Sequence, residues 1–373
     1  MKILNLKLNN FRNYQSLKLN FNQSKNIIIG ENGVGKTNII EAIYVLAFTK
    51  SFRGSKEDVI IKYNEDCTNI EGTVKDHYKS KYKVTLTKDG KIVKIDNNKI
   101  AKVSDYLSNI NIVLFTSEDL KLIKDTPNTR RRLINIELSQ LSNDYLKLLS
   151  SYNRILKQRN QYLKMLYFNS NISTSFLDIL TDKIIDLGLE INKYRLDFIN
   201  ELQPFIEKNY QSIALKPGLK LLYNSDYNNK TKEQLQKEYN KTKDRDMALG
   251  KTNIGIHHDD FIFELNGKIM KDFSSEGEQK NAIISLKMAE IDIFEAKKNV
   301  TPILILDDLF SELDKKKINN ILEFINDDIQ TFITTTELNK LSKKIKNGST
   351  IFKIKNGIVK EEKYEKWNRC LWR

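Results

Sequence analysis

The sequence predicts an α/β fold in which the two ends of the chain build one head, with an antiparallel β meander and an inserted helical arm lobe. Three observations predict it. The apolar run KNIII (25–29) leads into the glycine loop GENGVGKT (30–37) and on into TNIIEAIYVLAF at helical spacing. Two more apolar runs, PILIL (302–306) and TFITT (331–335), lie far downstream. Between the N-terminal and downstream runs, residues 133–166 and 176–210 repeat Leu, Ile and Tyr at helical spacing. The expected bounds are 1–130 and 250–373 for the head and 131–249 for the arm.

The elements follow in order. Leu4, Leu6 and Leu8, then Leu17, Leu19 and Phe21, alternate as two strands joined by the turn FRNYQ. KNIII is apolar throughout, as a central strand buried on both faces would be. From Asn69 to Ile100 the period is two, with turn signals at KDG and DNN, which predicts the meander. NIVLF (111–115) is a further buried strand. The two helical-period segments predict long antiparallel helices joined through SNISTS. Pro217-Gly218 ends that region, and 224–246 predicts a polar surface helix with flexible ends. A strand at FIFELNG, a helix from about Gly277, PILIL, a helix near 314–326 and TFITT complete the chain.

At 373 residues the chain can bury a large core in more than one lobe. Its 62 Lys and Arg against 48 Asp and Glu give a net charge of +14, which draws polyanions, nucleic acid first among them. An AT-rich genome favouring Lys codons would give the same balance. Cys67 and Cys370 are too few for a disulfide framework and lack metal-ligand spacing. The start, MKILNLKLNNFRNY, alternates and is polar, unlike a leader peptide, and no apolar run reaches membrane-span length. A soluble, cytoplasmic protein with no membrane partner is expected.

Gly30, Glu31, Asn32, Gly33, Val34, Gly35, Lys36 and Thr37 match GxxxxGK[ST] between a strand and a helix. The glycines let successive backbone N–H groups face phosphate oxygens, and the helix N-terminus adds partial positive charge. ATP is the expected ligand, with Lys36 reaching its β- and γ-phosphates and Thr37 ligating Mg²⁺. Hydrolysis needs a second metal ligand and a group to activate water. PILILDDLFSELD ends an apolar strand in two acids, the Walker B arrangement. Asp307 would hold Mg²⁺ and Asp308 would polarise the attacking water. Lys36, Asp307 and Asp308 are therefore the expected catalytic residues.

A second loop, FSSEGEQK (273–280), fits the SxGxQ signature through Ser275, Gly277 and Gln279. It offers a hydroxyl, a glycine N–H and a helix N-terminus together, and an ordinary helix cap looks the same. One phosphate loop already surrounds the nucleotide from its own side. A second donor set is most useful from the opposite side, supplied by another copy, so that ATP joins a symmetric homodimer. In this view Ser275 and Gly277 donate to the γ-phosphate, whereas Glu276 and Glu278 point away from it.

Through NFRNY (10–14), GENGVGKT, KSFRG (50–54), SEDLKLIKDTPNTRRR (117–132), HHDD (257–260), SSEGEQK and ILDDLFSELD, the chain resembles the RecF family from end to end. These are bacterial recombination and repair ATPases related to SMC-type heads. The resemblance implies an ABC/SMC-type P-loop ATPase head and an ATP-dependent homodimer that clamps DNA at duplex and single-strand/duplex junctions. It also implies slow, DNA-stimulated hydrolysis and action with RecR and RecO in loading recombinase. Arg12 would lie near the nucleotide, and residues 311–314 would form the loop that crosses the dimer interface. An alternative is the ATPase subunit of a related SMC-like or Toprim-linked DNA-processing system, although only about sixty residues follow the Walker B strand.

The sequence departs from the wider pattern in three places. Thr334-Thr335-Thr336 stands where transporter ATPases carry a switch histidine, and Asp308 replaces their glutamate. The family's GPHRDD box reads Gly255-Ile256-His257-His258-Asp259-Asp260 here. Four consecutive residues point alternately to opposite faces, which argues against one shared metal. The basic runs at 130–132 and 341–348 and the lysines of the arm are candidates for phosphate contact.

Overall fold

A computed structural model describes residues 1–363 apart from 55, 170, 171, 315, 316, 319, 320, 323–326 and 356. Two compact units emerge, Met1–Leu120 with Lys287–Arg373, and Lys121–Leu286. These bounds differ from those expected for head and arm, because 121–130 and 250–286 pack with the long helices.

The first unit holds two six-stranded sheets. One is antiparallel in the order β2 (Tyr14–Asn20), β1 (Lys2–Phe11), β4 (Cys67–Lys75), β5 (Lys79–Thr87), β6 (Gly90–Ile95), β7 (Asn98–Lys99). The other runs β15 (Ile358–Lys363), β14 (Thr350–Lys355), β3 (Lys25–Ile29), β13 (Thr331–Thr335), β12 (Ile303–Asp307), β8 (Ile112–Thr116). It is parallel except at the β14/β15 hairpin. Helix α1 (Lys36–Phe48) packs on both sheets and is buried on nearly every side, as its all-round apolar sequence requires. Its Ile39, Ile43 and Leu46 join Leu8, Ile70 and Val84 from one sheet and Ile28, Ile305 and Phe332 from the other in one core. The short helices α2 (Glu57–Ile60) and α3 (Ser104–Leu107) complete the N-terminal part.

The expected strands are present, with two differences. A register shift between Ile3 and Asn5 turns Ile3 inward and leaves Leu4 half-buried, so the inward series is Ile3, Leu6, Leu8. The hairpin of β14 and β15 was not anticipated. The helix expected near 314–326 lies partly outside the described residues, as does the aromatic tail from 364 onward with Cys370.

In the second unit, α4 (Pro127–Leu141), α5 (Asn143–Phe168) and α6 (Ser175–Ala214) are followed by α7 (Lys232–Leu249), α8 (Met270–Phe273) and the start of α9 (Glu276–Lys298). A small antiparallel sheet pairs β9 (Leu219–Asn224), β10 (Asp260–Leu265) and β11 (Lys268–Ile269). The single helix expected over 133–166 is two. Ser142 is extended (φ −137°, ψ 117°) and its hydroxyl accepts from the Tyr145 N–H, so it breaks α4 and caps α5. Helices α5 and α6 run antiparallel, since Arg159 bonds Thr181 and Tyr145 bonds Arg195. The polar helix α7 does not have the loose ends expected of it. Thr231 and Gln234 form a capping box at its start, and Gly250 closes it with φ 60°.

Candidate nucleotide site

Strands β3, β13 and β12 are neighbours in a parallel sheet, so their C-terminal ends lie side by side. That edge is where open α/β sheets place ligands. The glycine loop leaves β3 there, Asp307 ends β12, and Thr334 and Thr335 end β13.

The loop needs its glycines for specific reasons. Gly33 (φ 82°) and Gly35 (φ 110°) lie in the left-handed region, which costs other residues energy. A Cβ on Gly35 would also meet the Tyr14 hydroxyl at 2.7 Å and Asn13 Nδ2 at 2.8 Å. The β1/β2 turn therefore presses on the loop: the Tyr14 hydroxyl donates to the Gly35 carbonyl at 3.2 Å, and Asn38 donates to Asn13 at 2.7 Å. Burial pushes the Tyr14 phenol up to about 12, so it remains a donor. Lys36 is buried and donates to the carbonyls of Gly30 (2.7 Å) and Glu31 (2.8 Å). Burial lowers its affinity for a proton, while Asp308 and Asp307 oppose that fall.

One threonine organises the acids. Thr334 Oγ1 donates to Asp307 Oδ1 at 2.7 Å and accepts the Asp308 N–H at 2.8 Å. Thr37 Oγ1 donates to the same Asp307 oxygen at 3.3 Å. Burial raises the Asp307 carboxyl above the usual range, and the bonds from Thr334 and Thr37 pull it back. Asp308 has a left-handed backbone (φ 50°, ψ 25°), and its carbonyl accepts from Ser311 at 2.7 Å. Lys36, Thr37, Asp307 and Asp308 are thus gathered at one sheet edge.

Arg12 has a firm structural partner. Its guanidinium makes a bidentate pair with Glu41 of α1 (2.6 and 2.9 Å), which is fully buried and also bonded by Ser51. Arg53 stands 3.8 Å from the same carboxylate. NFRNY and KSFRG thus meet on Glu41, a residue sequence reasoning passed over. Its signal was an acid in the middle of an otherwise apolar helix.

The signature loop belongs to the second unit. Ser275 is exposed; its hydroxyl donates to Glu278 Oε2 at 2.9 Å and accepts the Glu278 N–H at 3.3 Å, while its own N–H reaches the same carboxylate at 3.0 Å. This is a capping box. Hydrogen bonds from the Ser275 backbone and side chain hold the Glu278 carboxyl below its usual range. Glu276 pairs with Lys280 at 2.7 Å. The acids of the loop therefore serve its own helix. Gln279 is buried and turns inward, its amide donating to the carbonyls of Met270 (3.0 Å) and Ser274 (3.1 Å), and Gly277 lies in the first turn of α9.

The 255–260 box builds a polar core in the second unit. Asp259 accepts from Arg195 and Tyr223, while Asp260 takes a bidentate pair from Arg130 at 2.7 and 2.9 Å. Arg131 donates to the Asp259 carbonyl at 2.6 Å. Two members of the basic run 130–132 are thus spent internally, which corrects the expectation that it faces phosphate; a run of like charges carries no sign of distant acids that bury it. His257 bonds Tyr152 at 2.8 Å and the Thr252 carbonyl at 3.2 Å. Burial, aided by His258, lowers its pKa from 6.5 to about 4. Between those values the unfolded chain binds the extra proton, so this contribution is full above about pH 6.5 and is lost as pH falls towards 4. Urea unfolding should show a loss of up to about 2 kcal/mol between pH 6.5 and 5 that His257→Gln flattens. An unchanged pH slope in the variant would refute the assignment.

No helix among the described residues is long and apolar enough to cross a membrane. Residues 2–360 match the RecF/RecN/SMC N terminal domain family. Two DNA replication and repair proteins RecF are similar throughout. That of Listeria monocytogenes serotype 4b (strain CLIP80459) is 36% identical over 369 residues, covering 97% of this chain and all of the relative. That of Streptococcus pneumoniae (strain ATCC 700669 / Spain 23F-1) is 39% identical over 363 residues, 96% of this chain and 98% of the relative. A solved structure described as the recombination mediator protein RecF-ATP in the RecFOR pathway superposes with a TM-score of 0.89 at 30% identity, over 97% of each chain. The family match, the end-to-end relatives and the shared fold converge: this chain belongs to the RecF family.

Proposed function

We propose that the chain is an ATP-dependent DNA clamp of recombinational repair and replication-fork maintenance. ATP joins two copies on DNA at gaps and single-strand/duplex junctions, and slow DNA-stimulated hydrolysis releases them. RecO and RecR are the expected partners in loading recombinase. The observation that carries this reading is the convergence of Thr37, Asp307, Asp308 and Lys36 at the C-terminal edge of β3, β13 and β12. A relative solved with ATP supports it. Functionally, 1–130 and 250–373 would act as the ATPase head and 131–249 as its arm.

Each residue has a definite task. Residues 30–37 wrap the phosphates with backbone N–H groups, and the Lys36 ammonium turns from the Gly30 and Glu31 carbonyls to the β- and γ-phosphates. Thr37 Oγ1 and Asp307 Oδ1 are hard oxygens 3.3 Å apart, suited to Mg²⁺. When bound, Mg²⁺ neutralises charge on the β- and γ-phosphates. Thr334 fixes Asp307 and presents Asp308, whose carboxylate orients the attacking water. Arg12 and Glu41 brace α1 behind the loop. In the second copy, Ser275 and Gly277 offer donors to the γ-phosphate, and Gln279 holds their loop in shape.

Sedimentation velocity with and without ATP and Mg²⁺ tests this directly. A monomer is expected without nucleotide and a dimer with it. Ser275→Arg points into solvent, costs only about 1 kcal/mol of capping, and should bind ATP normally yet stay monomeric. Normal dimerisation by this variant would show that the loop does not act across the interface.

A further inference from the structure

The antiparallel sheet of the first unit buries one face, through Leu6, Leu8, Ile70, Val84 and Val93, and exposes the other. Directly paired residues share a face. The register therefore places Lys18, Lys7, Glu71, Lys83, Lys94 and Lys99 in one unbroken row, one from each of the six strands β2, β1, β4, β5, β6 and β7. Five of the six are lysine. Lys7/Lys18, Lys83/Lys94 and Lys94/Lys99 are like charges directly opposite one another, an arrangement that destabilises a sheet. A face that needed only solvation would mix signs.

The one acid does not neutralise the row. Glu71 pairs with Lys83 at 2.7 Å and with Lys81 at 3.5 Å, and the hydrogen bond from Lys83 holds its carboxyl below the usual range. Among the described residues, Lys7, Lys18, Lys94 and Lys99 have no ion pair. Asn69, Thr73 and Thr85 add polar groups to the same face.

We propose that this face is a track for the sugar–phosphate backbone of duplex DNA, separate from the nucleotide site. It deepens the DNA-clamp reading and rests on it. Adjacent strands lie about 4.8 Å apart, so five steps span roughly 24 Å, about seven base pairs at 3.4 Å each. Lysines projecting from a sheet face present point charges without groove-reading geometry, so the track positions DNA without specifying sequence. An anionic membrane is the poorer fit, because surface binding there needs a broad apolar face beside the charges. The opposite face of the sheet packs on α1: a Cβ on Gly72 of β4 would come 2.5 Å from Leu46 Cδ2. The track is thus one layer from the helix that begins in the phosphate loop.

The test uses the full chain with Lys7, Lys18, Lys94 and Lys99 all changed to Ala. A control removes the same charge from exposed lysines outside the track, the arm and the two basic runs, Lys124, Lys251, Lys355 and Lys360. Binding of a 30-base-pair duplex with ATP and Mg²⁺ is followed by fluorescence anisotropy across a KCl series, with ATP affinity and thermal melting measured in parallel. The track variant should bind DNA at least tenfold more weakly, with a log–log salt slope shallower by about 3 to 4. Its ATP affinity should match wild type and its melting temperature should be no lower, since the like-charge pairs are gone, and the control should change the slope far less. Equal slopes in wild type and track variant overturn the track while the DNA reading stands. Absence of duplex binding by wild type overturns both. If the variant loses binding to phosphatidylserine vesicles and keeps DNA binding, the face is a lipid surface and the proposal fails.

Discussion

Asp308→Asn should lower ATP turnover by about 100-fold or more while nucleotide binding survives, so that ATP-bound dimers accumulate. The site makes this substitution unusually clean. Asp308 has a left-handed backbone, which asparagine tolerates as well as any residue with a side chain. Its N–H bond to Thr334 and the bond that its carbonyl accepts from Ser311 are backbone contacts that the change leaves alone. What disappears is one negative charge. Burial is the main reason the Asp307 carboxyl stands high, and Asp308 adds to it. Removing Asp308 therefore makes Asp307 a better anion, which favours retention of Mg²⁺ and nucleotide. The loss then falls on the step that needs a carboxylate beside water. Phosphate release and sedimentation in the same buffer separate the two effects. A drop of less than tenfold would remove Asp308 from the role of orienting water, and a loss of ATP binding would make it a binding residue.

The parts of this site that were legible in sequence are those carried by local backbone geometry. A phosphate loop needs glycines at fixed offsets between a strand and a helix, and a buried strand shows itself by being apolar throughout. Both signals sit within about twenty residues, so Lys36, Thr37 and Asp307 could be named. Partners brought together by the fold left no such trace. Thr334 reads only as one of three threonines, yet its hydroxyl joins Asp307 to the backbone of Asp308. Glu41 acquires meaning only when Arg12 and Arg53 fold onto it. Arg130 looks like surface charge until Asp260, 130 residues away, closes on it. Helical periodicity likewise ran through Ser142, because a one-residue break leaves the spacing of apolar residues nearly intact. Residues 257–260 do not alternate throughout as an extended segment would: His257 and His258 sit in a turn and both reach the Thr252 carbonyl (3.2 and 3.3 Å), whereas Asp259 and Asp260 go to different arginines.

That division of the two aspartates sets up the largest expected effect on stability. Arg195 and Asp259 are both buried, and Arg195 also donates to the Ile256 carbonyl (2.8 Å) and Asn135 (3.0 Å). Asp259 Oδ1 is buried with no hydrogen-bond partner, and burial already raises its carboxyl above the usual range despite the arginine. Arg195→Met fills similar volume but leaves that carboxylate without its cation, held by neutral donors such as the Tyr223 hydroxyl. Breaking a buried pair from one side costs about 3–5 kcal/mol. The remaining aspartate should then keep its proton to higher pH. A folded-state pKa raised above the unfolded value gives stability that is present at low pH and lost as pH rises through it. The variant's deficit in urea should therefore be smaller at pH 5.5 than at pH 8. Arg195→Met combined with Asp259→Asn should recover part of the loss, since asparagine removes the stranded charge and still accepts from Tyr223. A deficit that is equal at both pH values, or a double variant no more stable than the single, would mean that the arginine acts through its packing and its carbonyl contacts and not through its charge.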